Sequence, residues 1–206
     1  MAADEVNNPC PSRNDGPLAS LKQNTASAGG SSTAPGVAGG KRPLIEHADL
    51  QMRIARDGTW FYRGTPIARL PLVKLFASVL RREADGGYWL VTPAERGPIE
   101  VEDAPFLAVE VTREGEGRAQ RLIFRTNIDE FVTAGPDHPL RTELAADGEP
   151  SPYIRVRAGL EARLARAVFY ELVELGVEEP EGDAVIFGVW SEGVFFPLGE
   201  KGPDWC

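Results

Sequence analysis

The sequence predicts an α+β fold made of two small strand–helix–strand domains, read as a duplication. Three observations carry this. Short aromatic and β-branched runs are separated by Gly-containing turns, which is strand-and-hairpin patterning. Two longer segments place apolar residues at helical spacing. The same order, a strand ending in an Arg-plus-Gly turn, then a helix, then an aromatic strand, occurs once in each half of the chain.

Residues 1–43 are dominated by Ala, Gly, Ser, Asn and Pro. Such a segment buries too little apolar surface to offset the entropy of ordering it, so a coil-like tail is expected. The expected layout is therefore a disordered tail over 1–43, an N-terminal α+β domain over 44–104, a C-terminal one over 105–198, and a short tail over 199–206. The chain has 22 basic and 31 acidic residues, a net charge of −9. Four basic and three acidic residues lie in the tail, so the remainder carries the whole excess of acid. That field repels phosphate backbones and argues against a nucleic-acid polymer as partner.

The first domain opens with Met52–Ala55 and Trp60–Arg63 on either side of Asp57–Gly58, a hairpin signal. A helix is expected from about Pro71 to Glu83. Leu72, Leu75, Phe76, Val79 and Leu80 would form its apolar face, with Pro71 suited to the first turn. Asp85–Gly87 stops it, Tyr88–Thr92 reads as a strand, and a shorter strand follows around Ile99–Val101.

In the second domain, Phe106–Thr112 and Arg121–Arg125 flank Glu114–Gly117 as a second hairpin, and Glu130–Thr133 is a short strand. Residues 134–151 read as a long surface loop, before the alternating strand Tyr153–Arg157. A second helix is expected from about Leu160 to Leu175, striped by Leu160, Leu164, Val168, Leu172 and Leu175 and capped by Gly176. Val185–Trp190 and Val194–Phe196 close the domain as a hairpin around Ser191–Gly193.

Enzyme constellations are sparse. Gly36–Lys41 is one residue short of a phosphate loop, and Arg42 stands where a hydroxyl residue is required. Gly188–Gly193 has the wrong spacing for a nucleophile elbow around Ser191. His47 and His138 stand apart without cysteine ligands, so neither a metal nor a cofactor is expected and no catalytic residue is assigned. Glu100, Glu102 and Asp103 cluster, with a solvated strand edge as their expected setting. Cys10 and Cys206 read as incidental reduced thiols. No apolar run reaches a membrane span and no export signal begins the chain, so the expected setting is cytoplasmic, without a membrane partner.

The positive groups offer more. Arg155 and Arg157 should project from one strand face with Tyr153, and Arg141 lies in the preceding loop. A guanidinium fork suits phosphate or carboxylate, and a nearby aromatic could stack on a base. Ion pairing with the body's acids is the commoner use of such arginines. Core packing is likewise the commoner use of Trp60, Trp89 and Trp190. The candidate ligand-binding set is Arg141, Tyr153, Arg155, Arg157 and Trp190.

Several motifs in order carry a family resemblance. They are Arg63–Ile67, Leu72–Phe76, Val79–Glu83, Tyr88–Glu95 and Val101–Phe106 in the first half. In the second they are Phe124–Asn127, His138–Arg141, Pro152–Arg157, Leu160–Arg163 and Phe187–Gly193. Together, from about 52 to 198, they resemble the bacterial domain of unknown function 1285 family. The resemblance implies a duplicated α+β core whose C-terminal part is superficially pleckstrin-homology-like. It also implies a nucleotide-like small molecule bound between the domains and a role in signal transduction, with no catalytic residues to carry over. The leading expectation is thus a non-enzymatic sensor. The alternatives are a hydrolase or transferase using His138 with the carboxylates between Glu95 and Asp103, and a protein–protein adaptor. The sequence does not specify an oligomeric state.

Overall fold

A computed structural model describes residues 44–144, 150–182 and 184–200, which belong to one compact unit. The tail over 1–43, the phosphate-loop-like Gly36–Lys41, Cys10 and Cys206 lie outside the described residues. The first half contains β1 (Ile45–Glu46), β2 (Met52–Ile54), β3 (Trp60–Tyr62), β4 (Thr65–Pro66), α1 (Leu70–Val79), β5 (Leu80–Arg82), β6 (Tyr88–Val91) and β7 (Glu95–Val101). The second contains β8 (Phe106–Glu114), β9 (Arg121–Thr126), β10 (Phe131–Thr133), β11 (Leu140–Leu144), β12 (Pro150–Arg157), β13 (Leu160–Leu164) and α2 (Arg166–Glu174). It ends with β14 (Val177–Glu181), β15 (Ala184–Ser191) and β16 (Val194–Glu200).

The first sheet runs β4-β3-β2-β7-β6-β5, with β1 added alongside β7. The second runs β10-β9-β8-β13-β12-β11. Each is a pair of three-stranded meanders, and in each the first strand of one meander lies parallel to the last strand of the other: β2 with β7, and β8 with β13. The strands β14-β15-β16 form a third, antiparallel sheet, and β16 lies against β11 and β12. The molecule is therefore richer in strand than the sequence suggests, and its repeated unit is a sheet rather than a strand–helix–strand run. The helices occupy different places, α1 between the meanders of the first sheet and α2 after those of the second.

Both predicted helices are too long, for the same reason. Residues four apart share a face in a helix, but so do residues two and four apart in a strand. Leu160 and Leu164 fit either reading, and with Ala162 they are buried on β13, which pairs with both β12 and β8. The helix starts only at Arg166, after an extended Ala165. At the other site Leu80 is extended and opens β5 against β6, so α1 ends at Val79. The buried stripe of α1 is Val73, Phe76 and Ala77, continued by Leu80, while Leu75 is 57% exposed. Phe76 stacks on the buried Trp60 with ring centroids 6.3 Å apart.

The supposed loop over 134–151 contains β11, anchored by buried Leu140 opposite Ile154; residues 145–149 lie outside the described set. Gly176 follows α2 as expected but for a different reason. A Cβ there would come within 2.1 Å of the Phe187 ring, so packing space demands the glycine. The second sheet is amphipathic. Phe106, Ala108, Leu122, Phe124, Ile154, Leu160, Ala162 and Leu164 are buried, and α2 covers β8 with Val168 and Leu172 buried. The side chains between them on β11 to β13 are polar, and they face the junction with the first half.

Candidate functional site

Strand register assembles this polar face. Arg141, Tyr153, Arg163 and Leu107 align in one row across β11, β12, β13 and β8. Arg155 and Glu161 form the neighbouring row, and Glu143 sits opposite Ser151. Opposed residues in a sheet share a face, so these side chains project together.

Asp103 meets them from the first half. Its Oδ1 accepts a hydrogen bond from the Tyr153 hydroxyl at 2.8 Å, and its Oδ2 accepts one from Arg56 Nε at 3.2 Å. Arg163 lies 3.6 Å from Oδ2, an ion pair too long for a hydrogen bond. The Asp103 side chain is only 14% exposed, so the solvated edge expected for this cluster suits the exposed Glu100 and Glu102 but not Asp103. Glu102 is likewise engaged, paired with Arg53 and accepting the Arg56 backbone N–H at 2.9 Å. Burial first, and then the Asp103 carboxylate, push the Tyr153 hydroxyl up to about 12, so it stays a donor at neutral pH.

Arg141 donates to both oxygens of Glu161, at 2.8 and 2.6 Å, and pairs with Glu143. Its guanidinium also sits 4.5 Å above the Tyr153 ring. These bonds hold the Glu161 carboxyl below its ordinary value, and Arg82 and Arg155 push in the same direction. Three guanidinium groups therefore bear on one carboxylate. Arg82, from the first half, rests 5.4 Å from the Tyr88 ring and donates to the Gly86 carbonyl; Arg155 is exposed. Neither has a carboxylate ion pair among the described residues, so positive charge is locally in excess within an acidic body.

A second strut holds the junction. Asn127 accepts the Leu107 N–H with its side-chain oxygen at 3.1 Å and donates its amide to the Gly58 carbonyl at 3.0 Å. A Cβ on Gly58 would lie 2.5 Å from that amide nitrogen, and its φ of +81° already favours glycine. Lys74 on α1 adds an ion pair to Asp129 at 2.9 Å.

Between the halves opens a cleft of about 300 Å³. Arg56, Glu102 and Asp103 line it from one side, and Glu143, Leu144, Ser151 and Tyr153 from the other. Of the predicted site residues, Arg141, Tyr153 and Arg155 come together on this face, and Tyr153 lines the cleft itself. Arg157 does not join them. A bulge between Arg155 and Arg157 interrupts the alternation, and Arg157 pairs in register with Leu160, packs 5.3 Å over Phe106 and contacts Glu130 at 3.3 Å. Trp190 belongs to the third sheet, where its indole donates to Glu179 at 2.8 Å beneath Arg118. Arg82, Asp103 and Glu161 escape a reading of the sequence because only the paired sheets bring them together.

The remaining candidates are occupied elsewhere. Ser191 is fully buried, its hydroxyl donating to the Ala134 carbonyl at 2.7 Å and accepting the Leu122 N–H at 3.0 Å. His138 bonds the Arg155 carbonyl at 3.0 Å and lines neither described cleft, and Glu95 pairs with His47. Among the described residues no group of three or more His, Cys, Asp or Glu gathers to hold a metal ion. No helix among them is long and apolar enough to cross a membrane.

Comparison with known proteins places these two halves. Residues 43–104 match the N-terminal domain of the family described as "Domain of unknown function (DUF1285)", and residues 105–198 match its C-terminal domain. The chain is similar to a DUF1285 family protein of Silicibacter pomeroyi DSS-3, at 48% identity and a TM-score of 0.70, covering 80% of this chain and 90% of that one. It is also similar to a DUF1285 family protein of Shewanella baltica OS155, at 32% identity and a TM-score of 0.48, covering 61% and 91%. No curated protein matches the chain.

Proposed function

We propose a function from one premise: this chain belongs to the DUF1285 family. We read it as a non-enzymatic, cytoplasmic sensor that binds a small nucleotide-like ligand at the seam between its two domains and takes part in signalling. The observation that carries the reading is the cleft of about 300 Å³ with walls from both domains. Its lining directs the ligand's orientation. Three carboxylates against one arginine repel phosphate, so the uncharged part of the ligand would lie in the cleft beside Tyr153 and Ser151. The phosphate would reach along β12 toward Arg155 and Arg82, whose guanidinium groups have no carboxylate of their own among the described residues. Arg141 would act by holding Tyr153 and Glu161 in place. Duplication of an ancestral six-stranded sheet belongs to the same proposal, supported by the shared strand order. So does a pleckstrin-homology-like C-terminal part, supported by a helix that follows six strands.

Thermal unfolding of the full chain against a nucleotide panel tests the binding reading. A ligand at 100 times its Kd should add about 2.7 kcal/mol. The shift should vanish in the double variant Arg82→Ala, Arg155→Ala. No shift with any nucleotide, or a shift that survives in that variant, overturns the reading.

A further inference from the structure

A second cleft, of about 690 Å³, is lined by residues of the first half alone. Met52 and Ile99, both buried, line it with Pro98. Arg63, Asp49 and Glu100 also line it, and the backbone around Arg63 is unusual. Arg63 has a φ of +50°, and so does the turn residue Glu192; Gln51, also in the lining, has +53°.

Arg63–Gly64 and Glu192–Gly193 are the same kind of turn. Each joins two antiparallel strands, and each has both central residues left-handed, a geometry that ordinarily selects Asn, Asp or Gly at the first position. A long charged side chain there is a departure that asks for a use. Glu192 has one inside the molecule: its carboxylate pairs with Arg121 at 3.4 Å and packs onto Gly135, where a Cβ would lie 2.5 Å from Oε2. Arg63 has no matching carboxylate among the described residues. Its guanidinium rests over the Tyr62 ring at 5.1 Å, and the hydroxyl of that tyrosine is buried without a hydrogen-bond partner. In the same lining, Glu100 also lacks a cation among the described residues, because Arg53, its register partner, pairs with Glu102 instead. Asp49 uses one oxygen to accept the Gln51 N–H.

A guanidinium and a carboxylate, each without an ion pair among the described residues, thus line one open cleft together with apolar Met52, Pro98 and Ile99. We propose that it binds a small zwitterion of amino-acid or dipeptide size. The ligand's carboxylate lies in the Arg63 fork, its ammonium beside Glu100 and Asp49, and its apolar side chain on Met52, Pro98 and Ile99. The lining holds a second arginine, Arg53, but that one is already paired with Glu102 and stacked over Phe61, which leaves Arg63 to take the carboxylate.

Thermal unfolding of the full chain with millimolar leucine, dileucine, N-acetylleucine and leucinamide tests it. The two zwitterions should raise Tm, and the two blocked forms should not. Arg63→Asn suits the left-handed turn, so its unliganded Tm should equal or exceed that of the unaltered chain while the zwitterion shift is lost. Glu100→Gln should weaken zwitterion affinity about tenfold or more. The proposal is overturned by equal shifts with blocked and free forms, by an undiminished shift in Arg63→Asn, or by no zwitterion shift at all. A nucleotide shift that persists in Arg63→Asn reports on the seam alone.

Discussion

In the first sheet the helix interrupts the meanders, between β4 and β5; in the second it follows them, after β13. The strand order is otherwise the same in both. Each sheet has an apolar face that a helix can cover, and any suitably placed connection can supply one. The β4–β5 connection carries the apolar stripe of α1. The equivalent β10–β11 connection is short, and Gly135 and His138 close it on each other with reciprocal 3.2 Å backbone bonds. With no room there for a helix, the second sheet takes its cover from the segment after β13. The other faces differ as well: the second sheet turns a charged, hydrogen-bonded row toward the first half, and the cleft between the domains lies there.

Whether the two sheets unfold together is the strongest test of how far they act as one body. Trp60 and Phe124, 1% and 0% exposed, are core aromatics of the first and second sheets. Trp60→Ala and Phe124→Ala should each cost about 3–5 kcal/mol and lower one shared transition in urea. Two separate transitions in Trp60→Ala, with the second sheet unchanged, would show independent folding. The strut between the sheets should have the next greatest effect. Gly58→Ala should cost about 1–3 kcal/mol, since the new methyl displaces Asn127 at a positive-φ position. A variant of unchanged midpoint would remove Asn127 as a strut.

Tyr153→Phe isolates the contact at Asp103 and should cost about 1–2 kcal/mol near neutral pH. The Tyr153 hydroxyl is raised from 10.0 to about 12 on folding, so its contribution is complete below pH 10 and fades as pH climbs toward 12. The gap between the variant and the unaltered chain should therefore close over that window; a constant gap would assign the loss to packing. Glu161→Gln gives the smallest and opposite signature. The folded carboxyl lies below 4.5, so its contribution holds above that pH and fades as pH falls through the lowered value. Acid titrations of stability should converge there, and parallel curves would contradict it.

Much of this was legible in local chemistry. The Asp57–Gly58 and Glu192–Gly193 hairpins, the breaks at Asp85–Gly87 and the partial helices follow from turn residues and periodicity within a few positions of one another. The candidate arginines and Tyr153 were visible as a charged strand, and the register sets Arg141, Tyr153 and Arg155 on one face. Arg157 was misplaced because a bulge is invisible in strict alternation. Trp190 was misplaced because a tryptophan's neighbours come from the whole chain.

Local chemistry determined where strands and turns could form, the acidic balance of the body and, through its motifs, the family. Tertiary pairing decided the rest: that Leu80 and Leu160–Leu164 are strands, that Asp103 and Arg82 meet the β11–β13 face, and that Arg63 is left without a carboxylate among the described residues. The physical reason is that turn and periodicity preferences act over a few residues. Strand choice at an ambiguous position, and the fate of a charge, are set by a partner some 20 to 50 residues away, as with Arg141 and Glu161 or Tyr153 and Asp103.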